Sequence, residues 1–170
     1  QYTHSKVMAG VAMDRAIKAV EMFGAEGHAA KWRRLRDEIH AQVCAEGFNS
    51  DVNSFVQYYG SRETDASLLM LPLVGFLPAP DPRIVGTVDY IQRTLMQDGF
   101  VQRYITHPDI DGLPPGEGAF LLCTFWLADN LSLQQRHSEA RDIFERLLHL
   151  RNDVGLLSEQ YDPGTRRFLG

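Results

Sequence analysis

The sequence predicts an all-α fold in which inner and outer helices alternate along the chain. Six segments of the 170 residues carry helical hydrophobic patterns. The first, third and fifth are apolar nearly all round, which is typical of buried helices, whereas the second, fourth and sixth are amphipathic, which is typical of an outer layer. Such helical hairpins bury a core by stacking on their neighbours, and a curved solenoid or a closed toroid is consistent with the pattern.

The first hairpin is predicted from its capping and turn residues. Ser5 is placed to cap a helix that runs to about Met22, and Phe23-Gly24 then stops it. A second helix is expected from about His28 to Cys44. Residues 47–64 indicate a loop with a possible short extended piece at 55–59.

The second and third hairpins are bounded by proline, glycine and polar residues. The third helix starts near Asp65 and meets Pro72, and Ser138 is expected to cap the sixth. The remaining predictions are a fourth helix at about 83–97, an extended piece at 100–105, a loop at 107–116, a fifth helix at about 117–134, and an end of the sixth helix at 150.

Composition and charge limit the classes of function. The length suits a single domain over residues 1–170, and the net charge of −5 argues against a nucleic-acid surface. The most apolar stretch, residues 68–77, is too short to cross a bilayer, so no membrane partner is expected. The chain opens on Gln1 with no signal-like region, which predicts a cytoplasmic fragment of a longer protein.

Metal, cofactor and disulfide chemistry have little support in the sequence. The six histidines are scattered, with no pair at ligand spacing on one helix, so no metal is predicted. Fingerprints for phosphate or dinucleotide binding are missing, and no cofactor is expected. Cys44 and Cys123 lie in apolar helical patterns, which predicts buried free thiols.

The long connections between hairpins are expected to lie at one end, where the inner helices begin. Loops gathered on a rigid scaffold often carry function. Carboxylates, an arginine and aromatic rings at one place are typical of a site that hydrolyses sugars, although loop acids are more often solvated, and Glu117 could be a first-turn acid. The residues in these connections are Tyr58, Tyr59, Arg103, Tyr104, Glu117, Glu159 and Tyr161.

Long ordered strings in this sequence resemble glycoside hydrolase family 15, the glucoamylase, glucodextranase and bacterial trehalase type. The strings are EGAFLLCTFWLADNL at 117–131, LRNDVGLLSEQYDP at 150–163, YTHSKVMAGVAMDRAI at 2–17 and DASLLMLPLVGFLPAPDPRIVGTV at 65–88. The resemblance covers essentially the whole chain. It implies an (α/α)6 toroid, of which three hairpins would be about half.

The resemblance also implies roles for individual residues. Glu159, in SEQYD, matches the general base of an inverting reaction. Arg103-Tyr104 resembles the family's Arg-Tyr pair, whose arginine binds the nonreducing glucose. Glu117 matches a position that holds a polar residue near the substrate, and Tyr161 is expected to pack beside the base. The family's general acid lies in a Trp-Glu motif that these residues lack, so the chain alone is expected to be inactive.

Two alternatives stay open at this stage. A noncatalytic helical-hairpin repeat that binds a protein partner would explain the inner and outer alternation equally well. Within the enzyme interpretation, maltooligosaccharides, isomaltose-type dextrins and trehalose are all possible α-glucoside substrates.

Half a toroid would also expose apolar flanks of its inner helices, which predicts a homo-oligomer.

Overall fold

The computed structural model describes residues 1–106 and 118–169, and within them the protein is built from helices joined by short strands. The all-α prediction is confirmed, because each strand is only two or three residues long. The helices are α1 (Thr3–Phe23), α2 (Ala29–Glu46), α3 (Met70–Leu73), α4 (Pro82–Leu95), α5 (Leu121–Leu133) and α6 (His137–Leu148), and a 3₁₀ turn, η1 (Ala66–Leu69), runs directly into α3.

The strands belong to the connections between the helices. Strand β1 pairs antiparallel with β2, β3 pairs with β4, and β5, β6 and β7 form a three-stranded antiparallel sheet in that order. Their bounds are β1 (Phe48–Asn49), β2 (Ser54–Phe55), β3 (Met96–Gln97), β4 (Phe100–Val101), β5 (Ala119–Phe120), β6 (Gln160–Asp162) and β7 (Arg167–Leu169).

The helices pack as hairpins with an inner and an outer member, as predicted. Helix α1 lies along α2, and α5 lies along α6. Between them, η1 and α3 contact α1, α4 and α5, so this short helical segment is the centre of the structure. Within the described residues, no helix is long and apolar enough to cross a lipid bilayer.

The central segment differs from the other inner helices in that it contains a proline. Pro72 has no N–H, so it cannot donate the i+3 bond to the carbonyl of Leu69. The side chain of Asn130 on α5 supplies this bond instead, with 2.8 Å between Nδ2 and the carbonyl oxygen. Asn130 is fully buried, and its amide therefore ties the second inner helix to the third.

Inner helices differ in how much of their surface is covered. Leu68, Leu69 and Leu71 of the central segment are buried, as predicted for an inner helix. Helix α1 differs from this expectation, because it buries one face and leaves Met8 38% exposed. The reason is that only α2 lies along its length among the described elements. Its buried residues are Thr3, Val7, Gly10 and Ile17.

Three predicted helix starts are wrong. Ser5 and Ser138 lie inside α1 and α6, whose N-caps are Tyr2 and Arg136 without a side-chain cap bond. The fifth helix starts at Leu121, because the two residues before it pair with β6 as strand β5. Tertiary contacts, rather than local capping side chains, set the starts of α1 and α5.

Other local predictions are confirmed. Gly24 ends α1 with a left-handed φ of 67°. The carboxylate of Asp65 caps the third helical segment by accepting the N–H of Ser67 at 2.7 Å. Both cysteines are free thiols and Cys123 is buried, as predicted, whereas Cys44 is only half-buried.

Helix α4 approaches the β1–β2 connection closely at a glycine. A Cβ on Gly86 would lie 2.2 Å from the backbone oxygen of Asn53 and 2.5 Å from its side-chain nitrogen. Asn53 itself has a positive φ of 52°, so this backbone has little freedom to retreat. The absence of a side chain at residue 86 therefore allows the second outer helix to pack against the first connection.

We expect Gly86→Ala to lower the free energy of unfolding by about 1 to 3 kcal/mol, because the added methyl group overpacks a contact with backbone. Helix propensity alone predicts the opposite sign, a gain of about 1 kcal/mol. Gly10→Ala in α1 is the control, since its Cβ would meet only the Ile39 side chain at 3.3 Å. Urea denaturation of both variants measures the difference, and equal stabilities would contradict the interpretation.

Candidate active site

The same backbone hydrogen bond begins all three inner helical segments. The N–H of Thr3 donates to the carbonyl of Gln57 at 2.9 Å, and the N–H of Ala66 donates to the carbonyl of Arg103 at 2.8 Å. The N–H of Leu121 donates to a third carbonyl, that of Glu159, at 3.1 Å. Each acceptor lies in the connection that follows the outer helix of the same hairpin.

A β-bridge accompanies each of these bonds in the same register. The residue before each inner helical segment pairs antiparallel with the residue after the acceptor. The three pairs are Tyr2 with Tyr58, Asp65 with Tyr104, and Phe120 with Gln160. Gln57, Arg103 and Glu159 therefore occupy equivalent backbone positions in the three hairpins, each beside the start of an inner helical segment.

A cavity of about 600 Å³ lies between the starts of the first two inner segments. It is lined from the first inner helix by Tyr2 and His4, and from the first connection by Gln57 and Tyr58. Asp65, Arg103 and Tyr104 line the other side. The predicted meeting of the connections with the starts of the inner helices is thus present for these two hairpins.

Arg103 stands between this cavity and a second one. Its side chain is 50% exposed, and its Nε lies 4.0 Å from Oδ1 of Asp65. The second cavity, about 530 Å³, is lined by Arg103 and Tyr104 and by Gly118 and Phe120 at the start of α5. The Arg103 guanidinium is therefore paired with the Asp65 carboxylate and borders both cavities.

Asp65 is a carboxylate that several groups around the first cavity contact. It is 9% exposed and accepts hydrogen bonds from the N–H of Ser67 at 2.7 Å and from Nε2 of Gln57 at 3.4 Å. With the Arg103 ion pair, it joins groups from two connections and one inner segment. A buried carboxylate needs such donors, because an unpaired charge in a protein interior is costly.

His4 is held neutral over a wider range of pH than an ordinary histidine. Burial is the main cause and lowers its pKa below the usual 6.5, while the negative charge of Asp65 raises the pKa and the positive charge of Arg103 lowers it. A neutral imidazole has both a donor and an acceptor nitrogen. His4 can therefore hydrogen-bond a neutral ligand in the cavity without adding charge.

Glu159 is exposed, and its backbone is fixed at the start of α5. Tyr161, two residues later, is buried, with ring centroids 5.4 Å from Phe100 and 5.7 Å from Phe168. Tyr161 is thus a packing residue, and its expected place beside a general base stays a prediction. Glu117 lies outside the described residues.

The first connection contributes two tyrosines with different environments. Tyr58 is exposed, and its ring meets Tyr2 edge to face at 6.1 Å between centroids. Tyr59 is half-buried, and burial raises the pKa of its phenol. Only the first of the two rings is thus available to a ligand in the cavity.

Thiol and metal chemistry are not supported near these cavities. Burial raises the pKa of Cys123 to about 11, so its thiol is protonated at neutral pH and is a poor nucleophile. In the described part of the chain, no group of three or more His, Cys, Asp or Glu residues could hold a metal ion.

The sequence pattern did not single out His4, Gln57 or Asp65 as site residues. Asp65 was identified only as a helix start, and the other two belong to segments that indicate ordinary helix and loop. The available signal was positional, since all three lie at or beside the predicted junctions between connections and inner helices. Their convergence depends on the bridges between distant residues.

The arrangement is suited to a neutral ligand rich in hydroxyl groups. A guanidinium offers only donors, a carboxylate only acceptors, and amide and neutral imidazole groups offer both. Exposed aromatic rings beside them can pack against C–H surface. Polar groups that converge in a cavity at one end of a helical scaffold are a typical binding site for small molecules.

Comparisons with known proteins agree with this description. A family profile described as "Glycosyl hydrolases family 15" matches residues 1–170. A curated trehalase from Thermoplasma volcanium is 42% identical over 170 residues, which are 100% of this chain and 27% of that protein. A trehalase from Mycobacterium tuberculosis is 41% identical over 169 residues, 99% of this chain and 25% of that protein.

Solved structures show the same fold. A structure titled "Glycosidase Wild Type" superposes with a TM-score of 0.79 and 21% sequence identity, over 98% of this chain and 44% of that chain. A variant of a glycosidase in complex with glucose gives the same TM-score, identity and coverage. The chain spans about a quarter of the length of the curated relatives it matches. Because the family profile matches throughout, the chain belongs to the glycosyl hydrolases of family 15.

Proposed function

We propose that this chain is the C-terminal part of the (α/α)6 catalytic domain of an inverting glycoside hydrolase that releases glucose from an α-glucoside. The observation that carries the proposal is the position of Glu159. Its carbonyl accepts the N–H that begins the third inner helix, as the carbonyl of Arg103 does for the second. Glu159, the expected base, and Arg103, the expected glucose-binding residue, thus occupy equivalent backbone positions in their hairpins.

In this proposal Glu159 is the general base. An exposed carboxylate can accept a proton from a water molecule, whose oxygen then attacks the anomeric carbon on the face opposite the leaving group. Inversion needs about 6.5 to 9.5 Å between the two carboxyl groups, to admit that water. In this proposal the general acid comes from a part of the full-length protein outside residues 1–170.

Substrate binding is proposed for Arg103, Tyr104 and Glu117. Arg103 is supported by its geometry, because the carboxylate of Asp65 lies 4.0 Å from Nε and the guanidinium borders both cavities. Tyr104 lines the same two cavities. Glu117 is proposed from the resemblance of its sequence context alone.

Trehalose is the first substrate to test. Relatives that are 41 to 44% identical over nearly the whole chain carry the name trehalase. Maltose and isomaltose present the same nonreducing α-glucose and form the comparison set. A substrate panel on the full-length protein ranks them.

Glu159→Gln in the full-length protein is expected to lower kcat for α-glucoside hydrolysis by about 10² to 10⁴-fold, because the amide cannot accept the proton of the attacking water. KM should change little. Glucose release under saturating substrate measures the effect.

The control for this substitution is Glu145→Gln on the exposed side of α6, which should retain full activity. Circular dichroism checks that both variants fold. Retained hydrolysis in Glu159→Gln would remove this residue from the mechanism. A full-length protein with no glycosidase activity would instead favour the noncatalytic hairpin repeat.

The 170-residue chain alone is expected to be inactive, since it lacks both the general acid and the preceding hairpins. We expect glucose release from trehalose, maltose and isomaltose to be at least about 10²-fold slower than with the full-length protein. Release of glucose at a comparable rate would contradict the proposal that the general acid lies outside residues 1–170.

We also propose that the isolated chain self-associates through apolar surface that the preceding hairpins cover in the full-length protein. Met8 on α1 and Leu122 on α5 are 38% and 55% exposed, although both lie on inner helices. Large exposed apolar side chains favour association.

Multi-angle light scattering of the isolated chain should give a mass above that of the monomer. Met8→Lys combined with Leu122→Lys should shift the mass towards the monomer, because charge opposes burial of this surface. Val154→Lys, in an exposed connection, is the control and should not. A monomeric wild-type chain that binds no hydrophobic dye would contradict the proposal.

A further inference from the structure

The first hairpin has a residue at the position that Arg103 and Glu159 occupy in the second and third. Gln57 accepts the N–H of Thr3 through its carbonyl, and the next residue, Tyr58, forms the bridge to Tyr2. The three residues therefore lie at the same end of the protein, beside the starts of the inner segments. The backbone carbonyl of this residue makes the bond to the helix start, so the side chain is available for another role.

The side chain of Gln57 lines the same cavity as Arg103. Its Nε2 donates to Oδ2 of Asp65 at 3.4 Å, and the other carboxylate oxygen of Asp65 faces Nε of Arg103. One carboxylate therefore orients both side chains. The bond uses an N–H of the amide and leaves the amide oxygen able to accept a hydrogen bond from a hydroxyl group.

Two aromatic rings flank Gln57 at the mouth of the cavity. Tyr2 and Tyr58 are 61% and 42% exposed, and they meet edge to face. Both rings line the cavity together with Gln57 and Arg103, so their faces are available to a ligand there. A ring next to an amide and a guanidinium matches the surface of a sugar, which has C–H faces and hydroxyl edges.

We propose that Gln57 is a substrate-binding residue whose amide holds one hydroxyl group of the sugar that Arg103 contacts, with the ring of Tyr58 against its C–H surface. The inference rests on the proposed function and extends its site to the first hairpin. A hydrogen bond from the Gln57 amide would favour sugars that have a hydroxyl group at that position. The opposite charges of Arg103 and Asp65 compensate each other, so the bound ligand can be neutral.

A purely structural role for Gln57 predicts something different. In that case the amide serves only to support Asp65, and its loss weakens the binding of every sugar to the same extent. A contact with one hydroxyl predicts an effect that disappears when that hydroxyl is removed from the ligand. The two roles are therefore separated by ligands that each lack one hydroxyl group.

The test uses Gln57→Met in the full-length protein, since methionine has a similar length and no amide. Calorimetry or ligand-observed NMR gives Kd for glucose and for each monodeoxy glucose. The matched control is Gln42→Met on α2, whose amide also bonds a carboxylate, that of Glu46, at 3.3 Å. Hydrolysis of trehalose and maltose is measured on the same preparations, and thermal unfolding checks the fold.

We expect Gln57→Met to bind glucose roughly 3- to 10-fold more weakly, as for the loss of one neutral hydrogen bond. One monodeoxy glucose should bind the wild type and the variant equally, the others should keep the difference, and Gln42→Met should behave as the wild type.

An unchanged Kd for glucose, an equal loss for every analogue, or no sugar binding by the wild type would overturn the inference. Hydroxyl-specific loss in a protein without hydrolysis would support it and contradict the proposed function.

Discussion

The start of each inner helical segment depends on one backbone hydrogen bond. The first N–H groups of a helix have no partner within the helix, and a side-chain cap usually satisfies one of them. Here a carbonyl from the connection after the same hairpin accepts the first N–H of each inner segment, at Gln57, Arg103 and Glu159, and no side-chain cap accompanies it in α1 or α5. Each hairpin is thereby closed on itself, and its connection is fixed to the end where its inner segment begins.

This closure explains how an all-helical scaffold can hold a site made from loops. The residue whose carbonyl satisfies the helix lies at the same end of every hairpin, and its side chain is not needed for this bond. It can then vary without affecting the helix start, and it is an amide, a guanidinium and a carboxylate in the three hairpins. In this chain the main chain therefore makes the bond to the helix start, and the side chain of the same residue differs between the hairpins.

The cluster around Asp65 links two of these positions. Its carboxylate caps the central inner segment, accepts from Gln57 and faces Arg103. The central segment is itself fixed by the bond from Asn130 to the Leu69 carbonyl, which Pro72 cannot satisfy at i+3. Packing in the core and orientation in the cavity are therefore coupled through a helical segment of only eight residues, 66–73.

Hydrophobic periodicity alone determined the alternation of inner and outer helices, because burial on one face or on all faces leaves a direct pattern in the sequence. Gly24 and Asp65 similarly marked their helix ends through local chemistry. Tertiary structure decided the starts of α1 and α5, where bonds to residues 57 and 159 replace a side-chain cap. It also decided the meeting of His4, Gln57 and Asp65, since contacts between residues far apart in the chain leave no periodic signal.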